Sequence, residues 1–263
     1  MEYSLFTWFG FKQPFAEIVK LIKEAGFHSV MIWWGDFDDE YSVPKEKQPD
    51  IVRRAGLKID NAHFDFGRVN DIWEDSFVGQ ELYENYLSCL DDCKSYGIPV
   101  AVMHASNQFD PLPYNKLGLG RFKALVERAE KNNVIIALEN VRRPEYIEFL
   151  FNNIDSEKLK FCFDSGHENA FAPHIDFLTQ YGDKLAALHL HDNDGSGDQH
   201  LMPFNGNINW KRIMAKLEQL KYPGPLGFEL DAQFIDVSED YSAAGFLALA
   251  MEKIRQLEKI SFR

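Results

Sequence analysis

Short runs rich in Val, Ile, Leu and Phe alternate with longer amphipathic stretches along the whole chain, and this rhythm constrains the fold more than any other feature. An apolar run with no polar face suits a strand buried on both sides, and the helix-period stretch after it suits a crossover helix. Repeated alternation therefore predicts a parallel sheet covered by helices. Strands are expected near Ser4 to Trp8, Ser29 to Trp34, Lys58 to His63, Pro99 to His104, Val134 to Glu139, Lys160 to Asp164, Leu185 to Leu190 and Pro225 to Glu229. Helical patterns fall at about 14–25, 48–55, 78–96, 116–132, 144–151, 174–181, 209–220 and 239–258. Pro14, Pro144 and Asn209 are suited to open three of them.

Eight such units in 263 residues match the size of one closed (β/α)8 barrel, so the expected class is α/β with a single TIM-barrel domain over residues 1–263. A doubly wound sheet would more often carry a glycine fingerprint after its first strand, and neither GxGxxG nor GxxxxGK[ST] occurs. There is no Pro/Gly/Ser-rich linker and no longer-period repeat, and the acidic stretch Asp36 to Glu40 is expected to be a solvated loop.

Composition narrows the partners. The formal charge is 28 − 41 = −13, a field that repels polyanions, so nucleic acid is not an expected partner. Cys89, Cys93 and Cys162 are odd in number and show no framework spacing, which suits reduced thiols in a cytoplasmic protein. No signal-like N-terminus and no run of roughly 20 apolar residues is present, so export and membrane insertion are not expected.

Catalytic groups of such barrels stand where strands end, and six of the eight expected strands end in a metal-ligand type: His63, His104, Glu139, Asp164, His189 and Glu229. One such residue would more often be a hydrogen-bonded core group; six converging on one layer need another explanation. Several buried carboxylates would repel one another without a cation, and a mixed N/O set suits Mn²⁺, Zn²⁺, Fe²⁺ or Co²⁺. His167, Asp198 and His200 offer further donors, enough for up to three ions, while His191 is expected to support the ligands from behind. Small residues two positions earlier, Ala137, Cys162, Ala187 and Gly227, would leave space beneath the cluster. Trp8, Phe9, Trp33 and Trp34 could wall the mouth against a sugar ring, Trp8 and Trp34 being the chosen pair, and Arg142, with Arg68 and Arg143 as alternatives, could bind a phosphate or carboxylate. No strand-end lysine suits a Schiff base and no GxSxG elbow occurs.

The segments ALEN ending at Asn140, FDSGH ending at His167, HLHDND ending at Asp194, DQHLMPFNGNINW ending at Trp210 and GFEL ending at Leu230 resemble the xylose isomerase-like TIM-barrel superfamily over the whole chain. That superfamily includes sugar isomerases and epimerases, inosose-handling enzymes, dehydroshikimate dehydratases and endonuclease IV. Resemblance to its tagatose and psicose epimerase branch implies one divalent metal held by Glu139, Asp164, His189 and Glu229, with the two glutamates as acid and base and His167 contacting substrate. Gln199-His200 stand where that branch has an arginine. Resemblance to endonuclease IV implies a larger set: His63, His104, Glu139, Asp164, His167, His189, Asp198, His200 and Glu229. The implied function is a sugar, sugar phosphate or inosose isomerase or epimerase working by proton transfer through a metal-stabilised enediolate, on a small carbohydrate, in a chain that could form a homo-oligomer. A dehydratase of the same superfamily and a zinc phosphodiesterase like endonuclease IV are the alternatives; the acidic segment GDFDDEY and the net charge favour sugar over DNA.

Overall fold

The computed structural model describes residues 1–35, 40–234 and 242–261. Eight parallel strands form the sheet: β1 (Tyr3–Phe6), β2 (Ser29–Trp34), β3 (Lys58–Phe64), β4 (Val100–Met103), β5 (Ile135–Glu139), β6 (Leu159–Asp164), β7 (Leu185–His189) and β8 (Leu226–Phe228). Each of β1 to β6 pairs with the next, and β8 pairs with β1. The ring closes through Leu190, whose N–H donates to the Gly227 carbonyl at 2.8 Å and whose carbonyl accepts from Glu229 N–H at 3.1 Å. The expected single (β/α)8 barrel is the fold found.

The helices are α1 (Phe15–Glu24), α2 (Gln48–Arg54), α3 (Phe77–Tyr96), α4 (Lys116–Asn132), α5 (Glu145–Asn153), α6 (Ser165–Phe171), α7 (Phe177–Tyr181), α8 (Trp210–Leu220) and α9 (Ala243–Ser261). Local chemistry sets their ends. Ser76 Oγ accepts the N–H of Gly79 to open α3, and Asn115 Oδ1 accepts that of Gly118 to open α4. Gly97 and Asn133, at φ 62° and 55°, close these two helices in the left-handed region. Among the described residues no helix is long and apolar enough to cross a membrane.

Strand alternation sorts the core into two layers. Val30, Ile32, Leu138, Phe161, Phe163 and Leu188 face outward and pack against helix residues such as Val19, Ile22, Phe122, Leu125 and Ile213. Burying each large apolar side chain there contributes about 1.5–3 kcal/mol, so this outer layer carries most of the hydrophobic stabilisation. Val100, Val102, Ala137, Cys162 and Ala187 fill the barrel axis beneath the strand ends. Small residues do underlie the site, but Gly227 has another cause: a Cβ there would lie 2.3 Å from the Leu188 carbonyl oxygen, so the close approach of β7 and β8 requires glycine.

Two expectations change. Helix α6, directly after β6, is absent from the expected helices, because Ser, Gly, His, Asn and Phe in SGHENAF are weak helix formers; Asp164 nucleates it by accepting the His167 N–H at 2.6 Å. The stretch expected to be helical over 174–181 is helical only over α7. Most of the acidic stretch Asp36 to Glu40, and the first part of the helix expected from 239, lie outside the described residues.

Candidate metal and catalytic centre

Glu139, at the end of β5 and 1% exposed, is the hub of the site. Its Oε2 lies 3.0 Å from His63 Nε2, 3.3 Å from His104 Nε2 and 3.2 Å from His189 Nδ1, and its Oε1 lies 3.1 Å from His167 Nδ1. His189 Nδ1 is also 3.3 Å from Glu229 Oε1, a contact made possible by the β7–β8 closure. Three strands and the start of α6 thus deliver imidazoles to one carboxylate.

The imidazoles are held from behind. His63 Nδ1 sits 2.8 Å from the Phe64 carbonyl and His200 Nδ1 3.0 Å from the Glu229 carbonyl. A carbonyl only accepts, so each of these nitrogens carries the proton, and in the neutral ring Nε2 presents a lone pair. Those lone pairs face carboxylate oxygens: Glu139 for His63, and Asp198 Oδ1, at 3.2 Å, for His200. Lone pair against carboxylate is repulsive unless a proton or a cation lies between, and backbone-anchored imidazoles are how metal-ligating histidines are usually oriented. Both nitrogens of His104 and both of His189 are buried without a hydrogen-bond partner, although carboxylate oxygens lie close by. Orphaned buried donors around acidic oxygens fit a divalent cation, and the mixed imidazole and carboxylate chemistry suits the transition metals and zinc.

The donors continue toward the β7 loop. Asp164, which caps α6, lies 3.2 Å from His191 Nε2; Asp198 lies 3.2 Å from His167 Nε2 and 3.5 Å from His191 Nε2. The ring of His191 stacks on that of His200 at 4.0 Å, and it passes so close to Gly166 that a Cβ there would fall 1.8 Å from its Cε1. Four groups could each hold an ion: three that share residues, His63, Glu139 and His189, Glu139, Asp164 and His167, and Asp164, His189 and Glu229; and a separate one, His191, Asp198 and His200. His191, expected to support ligands from behind, belongs to the last of these groups. His200 adopts φ 48°, a left-handed conformation uncommon for histidine, consistent with a backbone held for function.

Electrostatics in the chain alone follow this geometry. Burial would raise the Glu139 carboxyl, but the facing imidazoles, His189 first, hold it well below its ordinary value. Burial pushes His104 down to about 4, leaving it neutral. For His167 and His189 burial is overcome by neighbouring acidic groups and both are raised well above the usual range; His200 is raised to about 9 by Asp198 against the same penalty. Asp198 is correspondingly held far below an ordinary carboxyl, mainly by His167 against its own burial.

A cavity of about 940 Å³ opens over this centre, reaching Glu139, His167, Asp198, His200 and Glu229. Trp8, 53% exposed, lines it as expected. Trp34 does not: it is buried in the outer core with its indole N–H donating to Asp92 at 3.2 Å. Its neighbour Trp33 takes the inner face, stacked on the His63 ring at 5.5 Å, and Phe66 stacks on His104 at 4.3 Å. Parity along SVMIWW carries this signal, since Trp33 shares the face of Met31. Phe66 and the wall formed by Asn107, Gln108 and Phe109 come from loops with no periodic pattern to announce them. Arg142 lines the cavity, whereas Arg68 pairs with Asp71 and Glu81, and Arg143 with Glu145.

A sequence profile described as xylose isomerase-like TIM barrel matches residues 19–246. An uncharacterized protein, y4fM, of Sinorhizobium fredii is 29% identical over 274 residues, covering 89% of this chain and 87% of the relative. Among solved structures, a D-tagatose 3-epimerase-like protein is 22% identical with a TM-score of 0.77, covering 100% of this chain and 98% of its own. D-psicose 3-epimerase from Clostridium cellulolyticum H10, solved with D-tagatose, is 13% identical with a TM-score of 0.79 and 99% coverage of each chain. These structural likenesses are of fold, whereas the profile spans most of the chain: it belongs to the xylose isomerase-like TIM-barrel family.

Proposed function

We propose that this chain is a divalent-metal-dependent carbohydrate isomerase or epimerase that moves a proton at a carbon next to a carbonyl. The observation that carries the reading is the donor arrangement around Glu139: a backbone-anchored His63 imidazole and orphaned buried nitrogens beside carboxylates, lining a cavity sized for a small molecule. Sugar epimerases among the structures of the same fold agree with it. A bound cation would supply positive charge where negative charge develops on the substrate oxygens.

The chain's own groups divide the remaining work. Glu139 and Glu229 both reach the cavity from strands β5 and β8, and they act as the base that takes the proton and the acid that returns one. Glu229, with its side chain 11% exposed, is the more open of the two. His167, whose backbone is locked by Asp164, presents its ring to the cavity between Glu139 and Asp198 and holds substrate oxygens. Trp8, Trp33 and Phe66 form an apolar wall for the carbon chain and limit water.

One observation favours a second reading. The additional group His191, Asp198 and His200 provides for more than one ion, as a phosphodiesterase of this superfamily would need. Incubation of the metal-loaded protein with ketopentoses, ketohexoses, their phosphates and acids, and inososes in D₂O tests both. Deuterium entering a carbon next to the carbonyl is the expected result. Failure of exchange across these sugars, together with metal-dependent incision of an abasic duplex that is lost in Glu139→Gln, would replace the first reading with the second.

A further inference from the structure

Arg142 is the one lysine or arginine among the described residues lining the cavity. It follows β5 by three positions, and its guanidinium carbon sits 4.2 Å from the centre of the Phe171 ring and 5.3 Å from that of Phe109. Phe171 itself lies 5.5 Å from the His167 ring, so the guanidinium is fixed relative to the centre. Ring contacts orient the group but offer it no acceptor oxygen.

What it lacks is a counter-charge. In a chain with 41 acidic residues against 28 basic ones, an arginine beside a cavity would readily find a carboxylate, as Arg68 and Arg143 do. Among the described residues Arg142 makes its two ring contacts and no ion pair, although Asp110 lines the same cavity. A half-buried guanidinium with its fork of donors unfilled is a receptor for a planar or tetrahedral oxyanion, which accepts two parallel N–H bonds where a sugar hydroxyl accepts one.

We propose that the substrate carries an oxyanion, either a phosphate monoester or a carboxylate, and that Arg142 binds it at the end of the molecule away from the reacting carbon. This rests on the carbohydrate reading of the site and specifies it: the substrate is a sugar phosphate or a sugar acid rather than a neutral sugar. Phe109, 65% exposed, and Phe171 hold the guanidinium at the wall of the same cavity that Glu139 reaches, so one small molecule can meet both.

The test uses three acyclic probes without a carbonyl, so that binding is read without chemistry: D-arabinitol, D-arabinitol 5-phosphate and D-arabinonate, titrated calorimetrically into the Mn²⁺-loaded protein. One anionic probe should bind at least about tenfold more tightly than arabinitol, and in Arg142→Gln that preference should fall to within about threefold, with Arg142→Lys recovering part of it. Preference for the phosphate arm assigns a sugar phosphate, and preference for the carboxylate arm a sugar acid. Equal binding of all three, no measurable binding of any, or a preference that survives Arg142→Gln overturns the proposal, the last because the anion would then belong to the cation. Absence of deuterium exchange in every ketose, ketose phosphate and keto-sugar acid tested, alongside the expected calorimetric pattern, would instead sink the proton-transfer reading and leave the anion subsite standing.

Discussion

His63 turns Nε2 toward Glu139 Oε2 across 3.0 Å while its Nδ1 is tied to the Phe64 carbonyl, so a neutral ring offers the carboxylate a lone pair rather than a proton. This relationship is favourable only with positive charge between the two groups; His200 and Asp198 share the geometry, and there Asp198 raises the imidazole to about 9 against burial.

Removal of the cation should therefore destabilise the fold. Chelation would leave the His63 lone pair facing Glu139 without the cation between them, and a ligand present at about a hundred times its dissociation constant contributes about 2.7 kcal/mol to the folded state. A lower melting temperature after chelator treatment, restored by Mn²⁺, Zn²⁺ or Co²⁺ but not by Ca²⁺, is the expected outcome. An unchanged melting temperature, with no metal found by elemental analysis, would contradict the assignment.

Glu139→Gln and Glu229→Gln preserve side-chain volume and remove the basic oxygen. Each should reduce solvent exchange into substrate by roughly 10²–10⁴-fold, the usual worth of a general acid or base, while the far-ultraviolet circular dichroism stays that of the parent. The variants should differ in metal retention. Glu139 touches four imidazoles and Glu229 one, so Glu139→Gln should lose the ion more readily under dialysis. Near-parental exchange in both variants would remove the acid and base assignment.

The barrel was legible because strands buried on both faces leave uninterrupted apolar runs, and the strand-end residues announced the site because period-two alternation sets their direction. His63, Glu139, Asp164 and His189 lie within the last two residues of their strands; His104 and Glu229 stand one residue beyond β4 and β8. Tertiary effects were less legible. Helix α6 depends on the cap supplied by Asp164, and His191 reaches the donors through the gap left by Gly166. The wall at Asn107 to Phe109 depends on loop anchoring, with Asn70 exchanging hydrogen bonds with the Asn107 backbone at 2.8 and 2.9 Å.

Trp33 and Trp34 provide a test by adjacent substitutions. Trp34→Ala opens the outer core and should cost about 3–5 kcal/mol in denaturant unfolding, with little change in the KM of the protein that remains folded. Trp33→Ala removes the ring stacked on His63 and should raise KM with a smaller loss of stability. The reverse pattern would return Trp34 to the cavity wall.

Asp192 should prove a positioning residue for the loop after β7. Its carboxylate accepts the N–H groups of Phe204, at 2.9 Å, and Ile208, at 3.2 Å, and the Trp210 indole N–H at 2.8 Å. Asp192→Ala orphans these donors, each costing about 1–3 kcal/mol where it stays buried. The expected result is a large drop in the denaturation midpoint and faster proteolysis within residues 201–210, partly rescued in Asp192→Asn. Unchanged stability in the alanine variant would mean that the loop is held by other contacts.

Asp60, on β3 three residues before His63, gives the pH dependence a definite sign. Burial raises its carboxyl from 3.8 to about 7, against the opposing effects of His189 and of the hydrogen bond from Asn61. A folded-state value above the unfolded one means that the folded protein holds a proton which the unfolded chain has released. The contribution to stability is therefore complete below about pH 3.8 and declines as pH rises, levelling once pH passes about 7. Asp60→Asn keeps an oxygen for the Asn61 amide, which donates at 3.3 Å, and cannot ionise. Relative to the parent it should gain roughly 1–3 kcal/mol between pH 4 and pH 8, a range set below the full linkage value because the side chain is not wholly shielded from water. Comparing the two proteins at each pH, under the same metal loading, cancels the pH dependence of metal binding. A difference that stays flat from pH 4 to pH 8 would show that Asp60 ionises like an exposed carboxylate and imposes no cost on the barrel interior.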